Sequence, residues 1–136
     1  MRRLVVLDTN CLIQILPLAS PYHKIWSNFM AGKFSLCVSN EILSEYTEIL
    51  GQFMSPTVAQ NVVSAIVQHP CTIQSDPHFK LLIITADPDD NKFVDCAFAA
   101  GADYIVTEDS HFNEVKQCQF PRIEIRDIDE FMKDNL

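Results

Sequence analysis

Strand-like and helical segments alternate along the chain, which predicts a three-layer α/β/α sandwich around a central, mostly parallel sheet. Three observations carry this reading. Leu4-Val5-Val6-Leu7 is an uninterrupted apolar run, as a strand buried on both faces requires. Segments of helical periodicity lie between it and the later strand candidates. Cap and turn residues punctuate the junctions, at Asp8-Thr9-Asn10, Pro17, Ser39-Asn40, Pro56 and Gly101.

The elements follow in order. After the Leu4–Leu7 strand, Asn10 or Thr9 can cap a helix that runs to about Leu16, where Pro17 stops it. A second helix covers His23 to Ala31, and Phe34 to Val38 reads as a strand. Ser39 or Asn40 caps a longer helix to about Phe53, and another runs from Thr57 to about Gln68. Lys80 to Thr85 is strand-like, Asp90 opens a helix ending at Gly101, and Tyr104 to Thr107 is a strand. Arg122 to Ile125 forms a last short strand before a helix from about Asp127 to Lys133.

Residues 1–136 make one domain, long enough to bury a core, with no internal repeat or linker. No apolar run approaches the roughly 20 residues that cross a bilayer. Met1-Arg2-Arg3 followed by Leu4–Leu7 resembles a signal peptide, but the apolar stretch stops at Asp8, short of the about 7–15 residues a signal needs. A cytoplasmic protein is the expectation. The five cysteines (Cys11, Cys37, Cys71, Cys96, Cys118) are odd in number and lack a C-x-x-C pair, unlike a disulfide framework or zinc site.

A net charge of −8 opposes nucleic-acid binding by simple charge attraction. The location of the charge matters more than its sum. Seven of the 18 acids lie between Asp87 and Asp109, where Lys92 is the one basic residue. Carboxylates that dense repel unless solvated or bound to cations. They form either an acidic solvated surface or a divalent-metal site.

In parallel α/β folds, ligands bind outside the carboxyl ends of the strands. Asp8 follows the first strand, Asp109 follows the Tyr104 strand, and Asp90 sits at the junction after the Lys80 strand. Three acids distant in sequence thus converge on one sheet edge. In the helix after Ser39 the apolar stripe is Ile42, Leu43, Tyr46, Ile49, Leu50 and Phe53. At roughly 100° per residue, Glu45 lies nearest that stripe, and Glu41 and Glu48 face solvent. In the next acidic helix Phe93, Val94, Ala97, Phe98 and Gly101 form the stripe. Asp90 projects along it as a site residue or a helix cap, and Asp95 falls outside its edge, beside Asn91, as a metal contact, a residue that supports the metal ligands, or a solvated acid. Asp87 and Asp89 read as loop acids.

Four segments carry a family likeness: Val5-Val6-Leu7-Asp8-Thr9-Asn10; Ser39-Asn40-Glu41-Ile42-Leu43-Ser44-Glu45; Asp87-Pro88-Asp89-Asp90-Asn91-Lys92-Phe93; and Ala102-Asp103-Tyr104-Ile105-Val106-Thr107-Glu108-Asp109. Each alone is weak. In this order and spacing, the chain resembles the PIN-domain nuclease family, most closely its small prokaryotic toxin-like members. The resemblance implies a metal-dependent endoribonuclease whose catalytic and metal-binding acids are Asp8, Glu45, Asp90 and Asp109, with Asp95 as a further metal candidate. Thr9, Asn10 and Thr107 would orient them. Oxygen-only ligands suit Mg²⁺ or Mn²⁺, with water as nucleophile. The implied partners are an RNA substrate and an antitoxin protein; a homodimer is left open.

Arg2, Arg3, Lys24, Lys33 and Lys92 are candidates for substrate contact, as are Tyr22 and Trp26 for base stacking, against the alternative of solvated or core roles. His111 could serve as an acid. A phosphoacceptor receiver domain shares the parallel fold, but would need paired acids after the first strand and a lysine after a late one. The remaining alternative is a catalytically inactive PIN-like module that binds RNA or protein.

Overall fold

The structure is a computed structural model that describes residues 2–134. Its elements in chain order are β1 (Arg3–Leu7), α1 (Thr9–Ile15), α2 (His23–Met30), β2 (Phe34–Val38), α3 (Asn40–Phe53), α4 (Pro56–Gln68) and β3 (Ile73–Gln74). There follow α5 (Asn91–Ala100), β4 (Tyr104–Val106), α6 (Asn113–Lys116), β5 (Glu124–Arg126) and α7 (Ile128–Asp134). Short 3-10 turns at Pro88–Asp90 and Ser110–Phe112 precede α5 and α6.

The described strands form one five-stranded sheet in the order β3-β2-β1-β4-β5, with every neighbouring pair parallel. Val5 pairs with Leu36 on one side and Tyr104 on the other, which places β1 at the centre. Val5, Val6, Leu7 and all of β2 are buried, the signature of a sheet covered on both faces. Phe131 of α7 packs edge-on against Phe34 and Tyr104, and Phe29 of α2 packs on Phe34. Helix α5 lies across β1, β2 and β4. Strand order reverses between β1 and β4, so their carboxyl ends open the crevice where doubly wound folds bind ligands.

Local chemistry sets the helix ends. Ser39 Oγ accepts the Ile42 N–H at 3.2 Å, and Ser55 Oγ accepts the Val58 N–H at 3.0 Å with Pro56 in the first turn. Gly101 ends α5 with φ of 66°, a left-handed conformation that a side chain would strain.

The strand expected over Lys80–Thr85 is absent. The strand that feeds the sheet edge is Ile73–Gln74, pairing with Cys37 and Val38 of β2. Leu82 takes a positive φ of 55°, which breaks any extended run through the apolar segment Leu81–Ile84. Side chains satisfy the backbone of this segment in place of a ladder. Asp95 accepts the Leu81 N–H at 3.1 Å, and Glu114 accepts the Thr85 N–H at 2.8 Å. Buried Asn91 both accepts from Ile84 N, at 2.8 Å, and donates to Ile84 O, at 2.9 Å.

Asn91 also donates to Pro88 O at 3.1 Å, so a single amide ties the segment to the start of α5. Asn91→Ala strands a buried N–H and the Ile84 carbonyl, while Pro88 O keeps the backbone N–H of residue 91, which predicts a loss on the order of 2–3 kcal/mol. Chemical denaturation measures the loss, and limited proteolysis should locate it in residues 80–88. A cost within about 0.5 kcal/mol would show that water replaces the amide without penalty.

Candidate active site

The site is built where β1 and β4 end. Asp8 directly follows β1; its backbone N–H continues the ladder by donating to Val106 O at 3.0 Å. It occupies the N-cap position of α1 but makes no side-chain cap bond. Instead Oδ2 accepts the Thr107 hydroxyl at 2.8 Å, and Thr107 Oγ1 in turn accepts the Asp109 N–H at 3.0 Å. One threonine therefore fixes the Asp8 rotamer and the backbone that carries Asp109. Asp8 and Thr107 are both buried.

Asp90 arrives from the 3-10 turn ahead of α5, held there by the Asn91 clamp rather than by a preceding strand. It stands at the N-cap of α5 yet caps nothing; Oδ2 lies 3.1 Å from His111 Nδ1. His111 Nδ1 is also 3.3 Å from Asp109 Oδ1, and the His111 N–H donates to that same oxygen at 2.9 Å. The imidazole thus joins Asp90 to Asp109. Ligand-type atoms of Asp87, Asp90 and His111 all fall within 4.8 Å of one another, a grouping that could hold a metal ion.

Glu45 is half-buried, whereas Glu41 and Glu48 are exposed, which agrees with the helix phase read from the stripe. Both of its oxygens are engaged. Oε2 accepts the Thr9 hydroxyl, and Oε1 pairs with Lys92 Nζ at 2.8 Å. Lys92 also reaches Asp89 at 3.1 Å. Glu45 is therefore a brace between α1 and α5, set beside the other acids with an ammonium already upon it.

The electrostatics follow from burial. Desolvation pushes the Asp8 carboxyl up to about 6; the Thr107 hydroxyl opposes this, and the charges of Asp90 and Asp109 add to it. Asp90 is raised by burial and by Asp87 and Asp109, against the pull of His111. His111 is raised in turn by its bond to Asp90 and by the Asp109 charge. Lys92 is raised as well: burial pulls it down, but Glu45 and Asp89 outweigh that.

Other expectations need correction. Asp95 is buried, not at the solvent edge, and its carboxyl turns to Leu81 N rather than to the other acids. Asn10 is exposed and lines an open groove of about 390 Å³ with Asp8, Ile13, Gln14, Phe53, Glu108 and Asp109. Phe53, assigned to the buried stripe, is 69% exposed there, because α3 ends at that residue on the groove's rim. Arg2, Arg3 and Lys33 sit at the amino ends of β1 and β2, the sheet edge opposite the acids. Trp26 is half-buried against the core and stacks near Phe29. Asp87 and His111 join the acids through the loop geometry, for which periodicity offers no signal.

Residues 4–111 match the PIN domain family model, and the chain belongs to that family. Its members are typically nucleases. No curated protein matches the sequence. Among solved structures, a chain of VapBC2 from Rickettsia felis bound to a promoter DNA fragment is similar at 14% identity and a TM-score of 0.60. That alignment covers 91% of this chain and 98% of the other. A chain of DNA-bound VapBC from Salmonella typhimurium is similar at 19% identity and a TM-score of 0.56, covering 94% and 99%. At these identities the likeness is one of fold. No described helix is long and apolar enough to cross a membrane.

Proposed function

We propose that this protein is a cytoplasmic, divalent-metal-dependent endoribonuclease, the toxin of a toxin–antitoxin pair. The observation that carries the reading is the meeting of Asp8, Asp90 and Asp109 at the crevice between β1 and β4, linked through Thr107 and His111. The antitoxin half rests on the shared fold with the two VapBC chains.

The donor set fits a hard dication. Asp8 is a buried carboxyl whose charge is disfavoured by its surroundings, and Asp90 and Asp109 deepen that cost. The imidazole of His111 lies between Asp90 and Asp109, and its bond to Asp90 raises its pKa. Asp8, Asp90 and Asp109 would hold Mg²⁺ or Mn²⁺, with Asp87 and His111 at the flank. Bound there, the ion would lower the pKa of water and offset charge on the scissile phosphate. The protein's own part is positional. Thr107 locks Asp8, Asn91 delivers Asp90, and Glu45 with Lys92 fixes the spacing of α1, α3 and α5 around the crevice.

Purified protein should cleave an oligoribonucleotide with millimolar Mg²⁺ or Mn²⁺ and not with chelator. Metal should also raise the melting temperature, by about 2.7 kcal/mol of stability at a hundredfold excess over Kd. Asp90→Asn should respond much less to metal. Its metal-free form should melt higher than wild type at neutral pH, because the net upward shift means the Asp90 charge opposes folding. Asp90 bonds to no backbone N–H of α5, so no cap is lost. Equal metal-induced shifts in the two proteins would remove Asp90 from the site.

A further inference from the structure

Phe53 is the aromatic side chain of the groove beside the acids. It closes α3, is 69% exposed, and stands on the rim of the groove that Asp8 and Asp109 also line. Its ring is exposed to water beside buried Asp8 and half-buried Asp109. The other side chains of this groove are two acids besides Glu108, two carboxamides (Asn10 and Gln14) and Ile13; none is basic. Lys92 is committed to Glu45 and Asp89, and Lys116 lies beyond Glu108 and Asp109 in the adjoining pocket. A polyanionic substrate therefore finds no ammonium or guanidinium on the groove lining. The groove's about 390 Å³ falls within the range, roughly 300–1,000 Å³, of sites that take a small-molecule-sized group such as a nucleotide.

We infer that Phe53 is the stacking platform for a nucleobase next to the scissile phosphate, and that Asn10 and Gln14 contact the edge of that base. Stacking on an aromatic ring is attractive whatever the net charge of the protein, and it requires an unpaired base. Amide side chains both donate and accept, as a base edge demands. The inference rests on the nuclease reading for its phosphate, but the platform itself is tested by binding alone. A chain of net charge −8 that holds RNA by stacking should show a weak salt dependence of binding.

The experiment compares the full-length wild type with Phe53→Ala, Phe53→Leu and Phe53→Trp. Cleavage of a short single-stranded oligoribonucleotide is followed with Mn²⁺, and binding of the same oligonucleotide by fluorescence anisotropy with Ca²⁺ in place of Mn²⁺. Phe53→Ala should raise KM and Kd by at least about tenfold, with kcat within about twofold. Phe53→Leu should behave as Ala, and Phe53→Trp as wild type. Annealing the oligonucleotide to its complement should weaken wild-type binding as much as Phe53→Ala does. If Leu restores function as well as Trp, apolar bulk rather than stacking is at work and the inference fails. Unchanged KM with a lost dimer or lost protein complex in Phe53→Ala would make the residue a protein contact instead, overturning it. Should wild type bind but never cleave, the nuclease reading fails while the binding ratios still decide the platform.

Discussion

Asp8→Asn should lower metal-dependent RNA cleavage by at least about a thousandfold, roughly 4 kcal/mol of barrier, while making the metal-free protein more stable at neutral pH. The two effects share one cause. Asp8 is almost fully buried, and its charge is useful only to a cation. Its carboxyl moves from an ordinary 3.8 up to about 6 in the folded protein, chiefly through loss of water. The sign follows directly. A raised folded pKa contributes stability that is complete below about 3.8 and is lost as pH rises through about 6. Over that window the metal-free wild type should lose on the order of 2–3 kcal/mol that Asp8→Asn keeps. The carboxamide oxygen can still accept the Thr107 hydroxyl, so the bond that orients residue 8 survives. Denaturation of both proteins in chelator from pH 4 to pH 7 measures the difference. Parallel stability curves would mean the Asp8 charge is not suppressed by burial, and wild-type cleavage by the mutant would remove Asp8 from the site.

Glu45→Gln should cut cleavage at least about tenfold, about 1.4 kcal/mol of barrier, and should also destabilise the fold by about 1–3 kcal/mol. Glu48→Gln, one turn further along α3 and exposed, should be near neutral in both assays. The stability arm comes from the structure. Lys92 is 10% exposed, and Glu45 is the better-buried of its two carboxylate partners. Removing that charge leaves the ammonium with Asp89 alone, whose side chain is 70% exposed. The Thr9 hydroxyl keeps an acceptor in Gln. A loss of activity with unchanged stability would argue that Glu45 meets the reacting groups directly rather than through Lys92. Equal effects at Glu45 and Glu48 would show the brace to be unimportant.

The amino-acid sequence by itself determined the periodic parts of this protein. Apolar runs at Leu4–Leu7 and Phe34–Val38 specified strands buried on both faces, since alternation is absent where both faces are covered. Ser39 and Gly101 marked helix ends through bonds and dihedrals that act within a few residues. Helical phase placed Glu45 inward and Glu48 outward, because 3.6-residue periodicity is a property of the chain alone. Family membership was legible in four short segments that end strands or begin helices.

Tertiary structure decided what depends on partners distant in sequence. Apolar Leu81–Ile84 resembles a strand, yet Asn91, Asp95 and Glu114 satisfy its backbone, and Ile73–Gln74 takes the place beside β2. Local propensity cannot reveal such a substitution of side-chain for ladder bonds. Asp95, by periodicity a metal contact, a support for the metal ligands or a solvated acid, is buried and accepts a backbone N–H from that segment. Phe53 obeyed the stripe but lies past the edge of the core, where helix phase no longer implies burial. The coupling of Asp8, Thr107 and Asp109, and the bridging of Asp90 to Asp109 by His111, arise from parallel strands ending at one level. Asp8, Asp90 and His111 are raised by burial and by neighbours up to about a hundred residues away along the chain, surroundings that exist only once the sheet has formed.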